Sequence, residues 1–145
     1  MAWFWMVSFS AVMWGLAYVI IERLLQTMSP SGVMFGGTIG SLLIYAMVNW
    51  YKGDFKSDMA AIKSGGLEWK LLIGLMVVEA LANLSIVEGV KAKNATLAGM
   101  VEISYPIFIV LFTWLIYREF HANIGSMIGF LLVAAGVCCI YYFEK

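Results

Sequence analysis

Five stretches of this sequence are each roughly 20 residues long and almost wholly apolar, and that pattern restricts the fold more than any other feature. They cover residues 3–22, 32–51, 69–89, 95–117 and 123–143. A helix rises about 1.5 Å per residue, so roughly 20 residues cross the hydrocarbon layer of a bilayer. Lipid offers no hydrogen bonds, so a spanning segment must satisfy its backbone internally, as a helix does. The predicted fold class is therefore an all-α membrane protein with five transmembrane helices. Composition agrees. The chain is 63% hydrophobic and 12% charged, against about 25% charged in a typical soluble domain. Mean hydropathy is +0.90. The length, 145 residues, suits one domain.

The joints between spans carry the expected punctuation. Ser29-Pro30-Ser31 suits a helix start with proline just inside it. Residues 52–68 hold most of the soluble charge, and Ser57 to Lys63 within them fit a short interfacial helix stopped by Gly65-Gly66. Asn94 or Ala95 opens span four, and His121-Ala122-Asn123 caps span five. Trp3, Trp5, Trp50, Trp69, Tyr51, Tyr117, Tyr141 and Tyr142 lie near span ends, where an aromatic belt belongs. The first residues lack the basic region and cleavage site of a signal peptide and read as the first span.

Five spans put the two ends of the chain on opposite sides. The side holding the N-terminus receives Lys52, Lys56, Lys63, Lys70 and Arg118; the other receives Arg23, Lys91, Lys93 and Lys145. Five against four is a weak asymmetry, which predicts either a cytoplasmic N-terminus or insertion both ways. Net charge is zero and no basic run occurs, which argues against nucleic acid as a partner. Cys138 and Cys139 are adjacent and suit packing rather than a disulfide. With one histidine, His121, no metal site and no cofactor is expected.

Small residues mark possible helix contacts. Gly32, Gly36 and Gly40 recur every four residues on span two, and Gly125 and Gly129 do so on span five. This spacing lets backbones approach, either within the chain or between chains.

Three carboxylates fall inside the spans: Glu79, Glu88 and Glu102. A charge at the bilayer centre costs roughly 2.5–3.5 kcal/mol on insertion scales, so such groups face a cavity or a partner. Glu88 lies three residues before Lys91, near the span end, and is read as one half of an interfacial ion pair with it. Glu79 is near mid-span, with Asn83 one turn later on nearly the same face. Glu102 shares a small, polar stripe of span four with Ala95, Ala98, Gly99, Pro106 and Thr113. Proline has no N–H and its ring clashes with the carbonyl four residues back, which here is that of Glu102. An acid and a freed carbonyl on one residue favour a proton, a cation or an ammonium group, and the proline supplies a kink for a moving helix. The bland alternative is a protonated packing residue beside a tolerated bend. Trp14, Tyr18 and Glu22 form an i, i+4 stripe on span one. It fits a cation-friendly aromatic wall or, for each aromatic alone, ordinary packing.

The stretch MWGLAYVIIERLLQTMSPSGVMFGG resembles the opening of an EamA-type repeat of the drug/metabolite transporter superfamily, with its Trp-Gly pair and Ser-Pro. YPIFIVLFTWLIYREFHANIGSMIGFLLVAAGV is similar to the end of that repeat, through Pro106, Glu119, Gly125, Gly129 and Gly136. Two features depart from the pattern: Phe35-Gly36-Gly37 stands where many such repeats carry an arginine, and Tyr105 stands where many carry an acid. The usual member has two inverted repeats and ten spans, so the resemblance implies half of that architecture. It implies a homodimer, most simply antiparallel, with a cavity near the midplane.

Together these point to a small membrane transporter, not an enzyme. It would move a small metabolite or cationic compound by alternating access, with proton coupling. Glu102 and Glu79 are the ion-binding candidates, with Asn83, Tyr105, Trp14 and Tyr18 as further lining residues. The expected location is a bacterial or archaeal cytoplasmic membrane. The rival reading is a non-transporting membrane subunit whose glycine faces serve assembly.

Overall fold

The computed structural model describes residues 2–119 and 123–143. Among these the secondary structure is helical, in the order α1 (Ala2–Leu24), α2 (Pro30–Lys52), α3 (Phe55–Lys63), α4 (Leu67–Ala92), α5 (Ala95–Glu102), α6 (Tyr105–Phe112), a π-helical turn (Thr113–Tyr117) and α7 (Ile124–Phe143). Taking Ala95–Tyr117 as one segment, five helices are long and apolar enough to cross a membrane.

Local chemistry sets the ends. Ser29 is extended, and its hydroxyl accepts the Gly32 N–H at 3.1 Å, with Pro30 opening α2. That supplies one of the acceptors that a helix start lacks, and proline's missing N–H costs nothing there. Gly53 closes α2 at φ 77°, and its N–H donates to the carbonyls of Asn49 and Trp50. A side chain at that φ would be strained, which is why glycine holds the position. Helix α3 begins two residues before the expected Ser57: the Asp54 carbonyl accepts the Asp58 N–H at 3.0 Å, opening the helix there, and also the Ser57 hydroxyl at 2.7 Å. Asn94 caps α5 by accepting the Leu97 N–H at 2.8 Å. Asn123 and Ser126 cap α7 reciprocally: Asn123 Oδ1 accepts the Ser126 N–H at 2.9 Å, and Ser126 Oγ accepts the Asn123 N–H at 2.8 Å. His121 and Ala122, expected to share that cap, lie outside the described residues.

The chain divides into two units, one of Met1–Ile20 with Ala92–Lys145 and one of Ile21–Lys91. In the first, Tyr18 and Ala95 are buried, and α5 packs on α7. In the second, Pro30, Val33, Val87 and Val90 are buried. There α3 is tied to α2 by Asn49 Nδ2, which donates to Asp58 Oδ2 at 2.7 Å.

The apolar surface lies outside. Leu42, Val78, Leu131 and Leu132 are all more than 60% exposed, and large side chains this exposed occur on each of the five spanning-length segments. Burying one such side chain is worth about 1.5–3 kcal/mol, so water is the wrong solvent for this surface and lipid the right one. Among the described residues no charged or polar side chain is fully buried. Glu88 and Lys91, which sequence spacing allowed to pair, are both exposed and no ion pair joins them. An exposed pair gains too little to hold two long side chains in one geometry.

Candidate functional site

Span four is interrupted rather than bent. Helix α5 stops at Glu102, Ile103 and Ser104 form a turn, and α6 restarts at Tyr105 with Pro106 in its first turn. The backbone bonds through the turn run from Ile103 N–H to Gly99, from Ser104 N–H to Val101 and from Ile107 N–H to Ser104. Each bypasses the Glu102 carbonyl, the one that proline was expected to release. Further along, the π turn Thr113–Tyr117 ends on Arg118, a non-glycine residue in the left-handed region at φ 59°. Its guanidinium sits 5.7 Å from the centre of the Trp114 ring, within reach of a cation–π contact.

On the small stripe of span four, Ala95 is buried and Ala98, Gly99, Pro106 and Thr113 are partly buried, while Glu102 is exposed. Tyr18 of α1 lies against the stripe at Gly99. A Cβ built on Gly99 would stand 3.8 Å and 3.9 Å from the Tyr18 ring, so the ring lies against α5 at van der Waals distance. Tyr18 is only 9% exposed, and its hydroxyl donates a hydrogen bond to Glu102 Oε2. The Trp14 ring follows one turn earlier, 6.1 Å from that of Tyr18 and tilted by 37°.

This arrangement has a clear chemical consequence. A phenol in a membrane helix needs a partner for its O–H, and a carboxylate there needs donors or a proton. Each meets part of the other's need. Yet one phenol satisfies only one of the two carboxylate oxygens. Glu102 remains exposed in the single chain, with capacity left for a proton, a cation or an ammonium group. When protonated, Glu102 itself becomes a donor. The pair is therefore suited to two states that differ by one proton.

The other sequence-selected residues fall as follows. Tyr105 is exposed at the start of α6, beside the break. Glu79 and Asn83 belong to the second unit, on α4; Glu79 is exposed and Asn83 partly buried. Among the described residues, a Cβ on Gly36, Gly40 or Gly129 would meet nothing within 4 Å. At Gly32 and Gly125 the nearest atoms are those of the adjacent caps, Ser29 and Asn123. The sequence offers Tyr18 as a lining residue or as packing, and neither reading predicts its bond to Glu102. The available signal was the hydroxyl, which a purely structural ring would not need. The Asn49–Asp58 tie was missed too, since nothing in the spacing of the two residues announces it.

Tyr18→Phe keeps the ring and removes the donor. It is expected to destabilise the protein by about 1.5–3 kcal/mol, as for loss of a hydrogen bond to a charged group. Thermal unfolding of the two proteins in the same detergent checks this.

The EamA-like transporter family model matches residues 1–142. Comparison with curated proteins and with solved structures gives no match. The family match runs through α1, the broken span and α7 alike, so it takes in the Tyr18–Glu102 pair together with all five spanning-length segments. The chain belongs to the EamA-like transporter family, whose members are membrane transporters.

Proposed function

We propose that this protein carries a small metabolite or cationic compound across the membrane by alternating access, coupled to protons through Glu102. The observation that carries this reading is the hydrogen bond from Tyr18 to Glu102 at the interruption of span four. The charged acid holds a cation or an ammonium group beside the aromatic rings of Trp14 and Tyr18. A proton arriving on the acid removes that attraction and releases the cargo, so one proton exchanges for one load. The turn at Ile103 and Ser104 supplies the bend about which the span moves. Tyr105 stands beside that bend, and Glu79 with Asn83 forms a secondary polar position on α4.

A homodimer completes the machine. One chain carries five spanning-length segments, and among the described residues a Cβ at Gly36, Gly40 or Gly129 would meet nothing within 4 Å. A second copy packed on them, most simply antiparallel, would supply the other wall of a central cavity. The near-equal positive charge on the two sides is compatible with insertion both ways.

The test is uptake of a panel of small metabolites and organic cations into liposomes holding the purified protein, with a pH gradient imposed. Saturable uptake that follows the gradient, and collapses with a protonophore, is expected. A non-transporting subunit would give none, and a channel would give flux without saturation.

A further inference from the structure

Helix α3 has nine residues, too few to span, and it lies between two helices of spanning length. Helix α2 ends at Lys52 and α4 begins at Leu67, both spanning-length, so α3 is held at the membrane–water boundary on the side where they meet. Around its axis, Phe55, Met59 and Ile62 fall within about 60° of one another. Lys56 and Lys63 stand within about 20° of each other at one edge of that apolar arc. Asp58, the only acid in the helix, lies at the opposite edge, where Asn49 of α2 donates to it at 2.7 Å. The tie fixes the roll of α3: its acidic edge is turned to α2 and its basic edge is turned away. The apolar arc stays open, with Phe55 52% and Ile62 38% exposed. Along the basic edge runs an open groove of about 270 Å³, lined by Phe55, Lys56, Met59, Ala60 and Lys63.

We propose that this groove binds an anionic phospholipid, with its phosphate held by Lys56 and Lys63 and the start of an acyl chain against Phe55 and Met59. Two cations without an acid on their face ask for an anion. An apolar floor beside them asks for hydrocarbon, which a free phosphate lacks. Only a lipid at the boundary offers both at the spot where the flanking spans place the helix.

The experiment titrates fluorescent phosphatidylglycerol into the full-length protein in a non-ionic detergent. Phosphatidylcholine with the same chains serves as one comparison, and inorganic phosphate as competitor at matched ionic strength is the other. Phosphatidylglycerol is expected to bind more tightly than phosphatidylcholine. K56Q or K63Q should weaken it about fivefold each, and the double variant about twenty-five-fold, as for lysines at an anionic membrane surface. Glutamine is as good a helix former as lysine, so α3 persists in these variants, and helicity measured by circular dichroism verifies it. F55S, which opens the floor and spares the charges, should also weaken binding. Equal binding of the two lipids overturns the proposal, as does unchanged affinity in K56Q/K63Q. Full displacement by phosphate overturns it too, because the site would then be one for a free anion.

Discussion

Liposomes carrying Glu102→Gln are expected to show no uptake driven by a pH gradient, with flux at the level of protein-free vesicles. The physical reason is that glutamine keeps the shape and an acceptor oxygen for the Tyr18 hydroxyl but has no proton to exchange and no charge to offer a cation. The variant should fold at least as well as the native chain, because holding a charge in the membrane costs roughly 2.5–3.5 kcal/mol and the amide avoids it. Equal or greater thermal stability with lost transport is the expected pair of results. Full gradient-driven uptake by the variant would remove Glu102 from the mechanism and turn attention to Glu79.

The second large effect concerns Pro106. Helix α5 ends at Glu102 and α6 restarts at Tyr105, and between them the Glu102 carbonyl is bypassed. Pro106→Ala restores an N–H at the position from which a continuous helix would reach that carbonyl. If the two helices fuse, the gain approaches about 3 kcal/mol, the difference between proline and alanine in a helix interior. Transport should fall as stability rises, because the bend is lost and the carbonyl is no longer open to cargo. Hydrogen exchange of amides 103–107 gives the direct measurement: slower exchange in the variant, together with slower uptake, is expected. Slower exchange with undiminished uptake would show that the interruption is a tolerated fault rather than a hinge.

The sequence displays much of this fold because lipid removes most alternatives. A run such as 123–143 has only one way to satisfy its backbone in hydrocarbon, so α7 could be read from composition and length. The caps were equally readable, since Ser29 and Asn94 carry the side chains that bond exposed helix amides. The break was readable in place but not in form. Proline forbids one bond; whether the helix then bends or stops depends on whether the next amides find other carbonyls, and here those of Ser104 and Ile107 reach back three residues instead of four. The Tyr18–Glu102 bond joins residues 84 apart in sequence. No periodicity within one helix encodes which face of another will lie against it, so only the roles of the two residues could be guessed, not their meeting. The same holds for Asn49 and Asp58, whose bond depends on how α3 folds back after Gly53.

Among the described residues so few side chains are shut away from the outside, Pro30, Val33, Val87 and Val90 in one unit and Tyr18 and Ala95 in the other, that the polypeptide borrows most of its cohesion. Its resistance to heat is thus not an intrinsic constant. It is set by mass action with whatever coats the helices, so a thinner detergent shell or a greater dilution will lower the melting point without a single residue having changed.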